Sequence, residues 1–172
     1  DASLPYSAYS RTGKTEKDFA KDTVYRFMKS ININWIQFTT LLAGRIIDDS
    51  IKDLTDSNRV NVLIIDDTTF ERSRSKKVEL LAKIYDHAKK QYKYGFRLLT
   101  LGWSDGNTFL PINSCLLSTK NSKNRINEAA EVDKRTVGYS RRKLAQTKAP
   151  TVMLELLEAA KKAAIPASHV LF

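Results

Sequence analysis

The placement of apolar residues changes rhythm several times along this chain. Residues 1–22, with Pro5, Gly13 and scattered Ser, Thr and Lys, carry no period and are expected to be a linker or flexible arm. Helical spacing follows in TVYRFMKS and INWIQFTTLLAGRIIDDSIKDL, where Trp35, Phe38, Leu42 and Ile46 would share one face, so 23–58 is expected to be a small helical region packed under a sheet. Val62 to Ile65 form an unbroken apolar run, the pattern of a strand buried on both faces. This predicts a strand near 61–66 that delivers Asp66 and Asp67 at its carboxyl end. SKKVELLAKIYDHAKKQY puts Val78, Leu81, Tyr85 and Ala88 on one stripe and predicts a surface helix that Gly95 can end. FRLLTLGW and TFLPINSCLL flank SDGN, and an Asp-Gly pair between apolar runs signals a hairpin. Antiparallel strands near 96–103 and 108–117, turning at Asp105 and Gly106, are therefore expected. Pro150 and Thr151 open a helix to about Ala163 with Met153, Leu156, Leu157 and Ala160 on one face, and SHVLF reads as a last strand near 168–172. The fold class that follows is α/β, and no internal repeat is found.

Composition narrows the partners. At 172 residues and 42% apolar content the chain can bury a core and forms about one domain. Lys plus Arg number 29 against 19 Asp plus Glu, a net charge of +10, which favours a polyanion: nucleic acid first, an anionic membrane surface second. No apolar run approaches the roughly 20 residues of a spanning helix, and no signal peptide opens the sequence. Nine of the bases and only three acids lie between Thr119 and Lys148, so this stretch reads as a basic insertion. The single cysteine, Cys115, sits among apolar residues and is expected to act as a small buried hydrophobe in a reducing cytoplasm. The chain begins with Asp1 and closes on ASHVLF, the pattern expected of a fragment cut within its last strand.

The acids at 66 and 67 have three readings, one of which fails. They can form a turn or cap, since Asp followed by Thr closes strands. An aspartyl-phosphate enzyme would need Asp-x-Asp-x-Thr, and the residues after Asp66 are Asp67, Thr68 and Thr69, so that spacing fails. Metal-assisted attack on a phosphodiester needs carboxylates around hard divalent cations, and a strand-borne Asp is the right ligand type. The bases that follow at once, Arg72, Arg74, Lys76 and Lys77, suit phosphate contacts. His87 and His169 lie far apart in sequence, no Cys–His spacing suggests zinc, and no glycine-rich loop suggests a nucleotide cradle.

Several of these stretches together resemble a known family. IDDTTFERSRSKKVELLAKIYDH, KYGFRLLTLGWSDGNTFLPINSCLLS, KNRINEAAEVDKRTVGYSRRKLA and IPASHVLF are similar to the DDE-type insertion-sequence transposases, in the group named after insertion sequence four, from about Arg59 to Phe172. The resemblance implies a ribonuclease H-like catalytic core over 59–172, interrupted by the basic insertion 119–148. Its first strands would share one sheet, the second antiparallel to both neighbours and the last parallel to the first. The family's first catalytic aspartate directly precedes a Thr or Ser, which maps onto Asp67 as metal ligand, with Asp66 and Thr68 orienting it from outside. The second aspartate would follow Phe172 directly and the glutamate would come later, so this fragment is expected to be inactive. Mg2+ or Mn2+ as cofactor and double-stranded DNA, both element ends and target, as substrate are implied, and a homodimer and a cytoplasmic, nucleoid-associated setting are compatible with it. Arg141, Arg142 and Lys143, with Arg72, Arg74, Lys76 and Lys77, would meet DNA. The helical region 23–58 could contact it too. A nucleic-acid-binding domain without catalysis is the competing reading of the same charge.

Overall fold

The computed structural model describes residues 21–172 other than 55 and 57, so most of the expected arm lies outside the described residues. Helix α1, Lys21–Met28, starts within the last residues of that arm. Helix α2, Trp35–Ile46, is capped by the Asn34 side chain, which accepts the Gln37 amide at 3.1 Å. It runs on into a π turn, Ile47–Ile51, and a short 3-10 turn, Lys52–Leu54. Its buried stripe is Thr40, Ala43, Gly44 and then Ile47. The stripe expected from Trp35, Phe38, Leu42 and Ile46 is displaced: Phe38 and Leu42 are each 49% exposed, and Trp35 stacks edge-on against Phe27 and Phe38. The physical reason is close approach. A Cβ on Gly44 would come within 3.3 Å of the Ile165 side chain, so the small-residue face, not the bulkier one, lies against the core.

One mixed sheet holds five strands: β1 (Val62–Glu71), β2 (Ala82–Asp86), β3 (Gln91–Ser104), β4 (Phe109–Leu117) and β5 (His169–Leu171). Fourteen-residue β3 is its centre. β1 lies antiparallel along one edge of β3 over ten pairs, from Val62↔Ser104 to Glu71↔Gly95. β2 and β4 follow one another along the other edge, both antiparallel, β2 on Gln91–Gly95 and β4 on Arg97–Ser104. β5 pairs parallel with β1 through Val62↔His169, Leu63↔Val170 and Ile64↔Leu171. The single sheet and the strand directions expected of a ribonuclease H-like core are therefore present. Helix α3, Val137–Leu144, and helix α4, Ala149–Lys162 with Pro150 in its first turn, connect β4 to β5. α4 buries Val152, Leu156 and Ala160, with Met153 and Leu157 partly buried beside them.

Two sequence expectations fail here. The surface helix anticipated over 75–92 is absent; the chain forms a loop, β2 and a tight turn instead. Ala82, Ile84 and Asp86 are buried while Lys83 and Tyr85 are exposed, a period of two that outweighs the helical match. Asp86 closes the turn by accepting the Lys89 amide at 3.0 Å, and Lys90 takes φ 50. Gly95, expected to end that helix, lies inside β3, where a Cβ would stand 2.3 Å from the Phe70 carbonyl oxygen. The first strand also outruns its expected end: Thr68, Thr69 and Phe70 pair with Leu98, Arg97 and Phe96, which places Asp66 and Asp67 in mid-strand. The 105–106 hairpin forms as expected. Asp105 accepts the Asn107 and Thr108 amides at 3.0 and 2.7 Å, and Gly106 adopts φ 87.

The main core joins α2, α4 and one face of the sheet through Ile47, Leu63, Leu99, Leu101, Trp103, Ile112 and Leu156. A buried polar link spans it: the Asn113 amide donates to the Thr40 hydroxyl at 2.8 Å, which donates to the Ile36 carbonyl. A second, smaller cluster of Leu80, Leu81 and Phe96 sits toward the β2 end of the sheet.

Candidate metal and nucleic-acid surface

The pleat of β1 decides what its two acids can do. Adjacent strand residues point to opposite faces. Asp67 pairs with core residue Leu99 and so lies on the helix-covered face, at its margin. There Arg97 grips its carboxylate with two donors, Nη2 to Oδ2 and Nε to Oδ1, the latter at 3.2 Å. Asp66 pairs with Thr100 and lies on the face turned away from α2 and α4, in line with Ile64 and Thr68. It is exposed and has no hydrogen bond or ion pair among the described residues. The two carboxylates therefore cannot converge on one ion from this strand.

Those residues do not complete a metal centre by themselves. No group of three His, Cys, Asp or Glu capable of holding a metal occurs among the described residues. A hard divalent cation takes six or so oxygen ligands, of which β1 offers one free carboxylate. His87 and His169 are both exposed; His169 Nδ1 lies 2.9 Å from the Ser168 hydroxyl, and His87 stacks edge-on with Tyr85. Cys115 is a half-buried thiol packed against the core, and burial pushes its pKa up to about 11, so it stays protonated and inert near neutrality.

The anticipated DNA-contacting bases fall into three situations. Arg72, Arg74, Lys76 and Lys77 are exposed in the loop that follows β1. Arg72 stacks over the Phe70 ring at 4.5 Å, and its amide donates to the Tyr94 carbonyl at 2.7 Å. That loop is fastened to the basic insertion: the Asn127 side chain donates to the Lys76 and Val78 carbonyls at 3.1 and 2.8 Å. Arg142 is committed to the same joint. Its guanidinium holds Glu79 through Nε and Nη2 at 2.8 and 2.7 Å and donates to the Gly138 carbonyl at 2.9 Å. Arg141 and Lys143 remain exposed on α3. A groove of about 800 Å³ brings Lys29, Arg72, Arg141 and Arg142 together over Phe70 and Leu116, whereas Lys143 faces a different groove between α2 and α4.

Sequence reading did not single out Arg97 or Lys93. Each is a base inside a run of β-formers, and such a charge is tolerable only with an acid beside it. Lys93 ion-pairs with Glu71 at 2.8 Å and Asp86 at 3.0 Å, joining the ends of β1, β2 and β3. Both carboxyls are held below their ordinary values. For Glu71 the largest cause is the Lys93 hydrogen bond; for Asp86 it is the Lys89 amide, with Lys93 next. No helix among the described residues is long and apolar enough to cross a membrane.

Comparison with curated proteins and with solved structures finds no match. The model of the family described as DDE superfamily endonuclease matches residues 7–172. That span takes in the acid-bearing strand, the whole mixed sheet and the basic insertion, and the chain belongs to the DDE superfamily endonucleases.

Proposed function

We propose that this chain forms part of the catalytic core of a cut-and-paste transposase that cleaves DNA at the ends of an insertion sequence and joins the freed ends to a target, with Mg2+ or Mn2+. The observation that carries the reading is a free carboxylate on the central part of β1, in a ribonuclease H-like sheet, in a chain of an endonuclease superfamily that generally uses divalent metals. The sequence resemblance assigns the metal to Asp67. The geometry favours its neighbour. A cation at Asp67 would have to displace Arg97, whereas Asp66 can accept one without breaking an ion pair. The role of Asp66 is to present one anionic oxygen ligand to the cation.

Mn2+ titration of the isotope-labelled protein tests the assignment without requiring turnover. Paramagnetic broadening should centre on Asp66 and Thr68, persist in Asp67→Asn and vanish in Asp66→Asn. The reverse dependence returns the ligand to Asp67. Broadening that ignores both variants supports the competing reading, a DNA-binding domain without catalysis, which the net charge of +10 would equally serve. In any longer form with the further acids, replacing the ligand acid should cut strand cleavage by ~10³-fold or more while leaving DNA affinity nearly unchanged.

A further inference from the structure

The outer face of the β2–β3 hairpin is not used by the proposed chemistry. The pairs Lys83↔Tyr94 and Tyr85↔Tyr92 set four side chains on one face, opposite the buried Ala82, Ile84 and Asp86. The three tyrosines are 41% (Tyr85), 64% (Tyr92) and 45% (Tyr94) exposed, unusual for large aromatic residues crowded on one small surface. Their rings are already arranged: Tyr85 and Tyr92 meet at 5.1 Å, His87 packs on Tyr85 at 5.0 Å, and the Lys83 ammonium stands 4.7 Å over the Tyr92 ring. Charge around them is cationic. Lys89 and Lys90 form the adjoining turn, and the Arg72 amide bonded to Tyr94 leads directly into Arg74, Lys76 and Lys77. The two nearby acids, Glu71 and Asp86, share the Lys93 ammonium, and the one net negative charge of that trio is outnumbered by the surrounding bases.

We propose that this face is a stacking platform for single-stranded DNA. Exposed rings at strand spacing, bordered by bases, match what unpaired bases require: π-faces for stacking and cations for the backbone phosphates. Duplex DNA hides its base faces and would gain only the phosphate contacts, so the tyrosines specify the unpaired form. The proposal rests on the DNA-cleaving reading, since strand cleavage exposes unpaired ends, and names a second DNA surface distinct from the β1 acids.

The test measures binding of a thymidine oligonucleotide about twelve nucleotides long, a length suited to a small stacking surface, by fluorescence anisotropy at fixed salt, with a duplex of mixed sequence in parallel. The double variant Tyr92→Leu, Tyr94→Leu, which keeps apolar strand residues, should weaken the single strand about tenfold or more and leave the duplex unchanged. Tyr92→Phe with Tyr94→Phe should restore binding, because stacking needs the ring and not the hydroxyl. If the double variant fails to fold by circular dichroism, Tyr92→Leu alone serves, being the most exposed ring. Unchanged single-strand affinity in a folded leucine variant overturns the proposal and leaves the tyrosines as cross-strand packing. Duplex binding without single-strand binding also overturns it while the DNA-cleaving reading stands; loss of both in the unaltered protein defeats the two together.

Discussion

Asp66 and Asp67 are adjacent in sequence, and the pleat sets them on opposite faces of the sheet, Asp67 against Arg97 and Asp66 exposed on the other side. Which of the two is free of an ion pair was not legible from the adjacent residues, because the partner of Asp67 is Arg97, thirty residues on. Lys93 shows the same long-range logic and leads to a pH prediction. Glu71 and Asp86 are held below their ordinary values of 4.5 and 3.8, so their contribution to stability is complete above those values and is lost as pH falls through the lowered ones. Lys93 is raised above 10.5, first by Glu71 and then by Asp86, so its contribution is complete below that pH and is lost on strong alkalinisation. Thermal melting should therefore be flat, as far as this cluster is concerned, between about pH 5 and 10 and fall on the acid side. In Lys93→Met the acid-side fall should be shallower; the same acid slope in both proteins would mean that the ion pairs do not couple to folding.

At the level of elements, the sequence was most informative where local chemistry acts alone. The Asp105–Gly106 turn and the start of α4 at Pro150 are both set by a few adjacent residues. It misled where two periods overlapped: Val78, Leu81, Tyr85 and Ala88 fit a helix, while Ala82, Ile84 and Asp86 fit a strand, and pairing with distant Gln91–Gly95 decided for the strand. The α2 face went wrong for a similar reason, since Gly44 and Ala43 have little hydrophobicity yet permit the closest packing. Glycine also distinguishes the two halves of β3. Gly95→Ala would drive a Cβ into the Phe70 carbonyl, a backbone atom that cannot turn aside, and should destabilise by about 2–4 kcal/mol. Gly102→Ala meets the ring tip of Phe109, itself 56% exposed and free to swing, and should cost less than about 1 kcal/mol. Denaturant melts of the two variants compare them directly; equal losses would mean that the β1–β3 ladder shifts easily near Gly95.

Across the whole molecule, the net charge of +10 is displayed on several surfaces rather than one. Two sets of bases meet along the Arg72–Arg141 groove, while Arg142 holds the β1–β2 loop to α3. Duplex binding should weaken with salt along a log-log slope of about −0.9 per phosphate contacted. Neutralising Arg72 and Arg141 together should flatten that slope by up to about two contacts, whereas Arg142→Gln should chiefly lower thermal stability. A slope that ignores Arg72 and Arg141 would make their groove a merely solvated surface. Strand β5 carries a different consequence. It reaches β1 across 107 residues, as the Ser168–Asn61 hydrogen bond records, for a gain of three residue pairs. Closing a free loop of that length costs roughly 4 kcal/mol in chain entropy before any constant is added, more than so short a ladder readily offsets. The cost falls if α4 docks first through Val152, Leu156 and Ala160 and Trp103 then takes hold of the Pro166 carbonyl at 2.7 Å, leaving only a few residues to place. Folding in that order makes the edge of β1 beside Asp66 one of the last parts of the sheet to be completed.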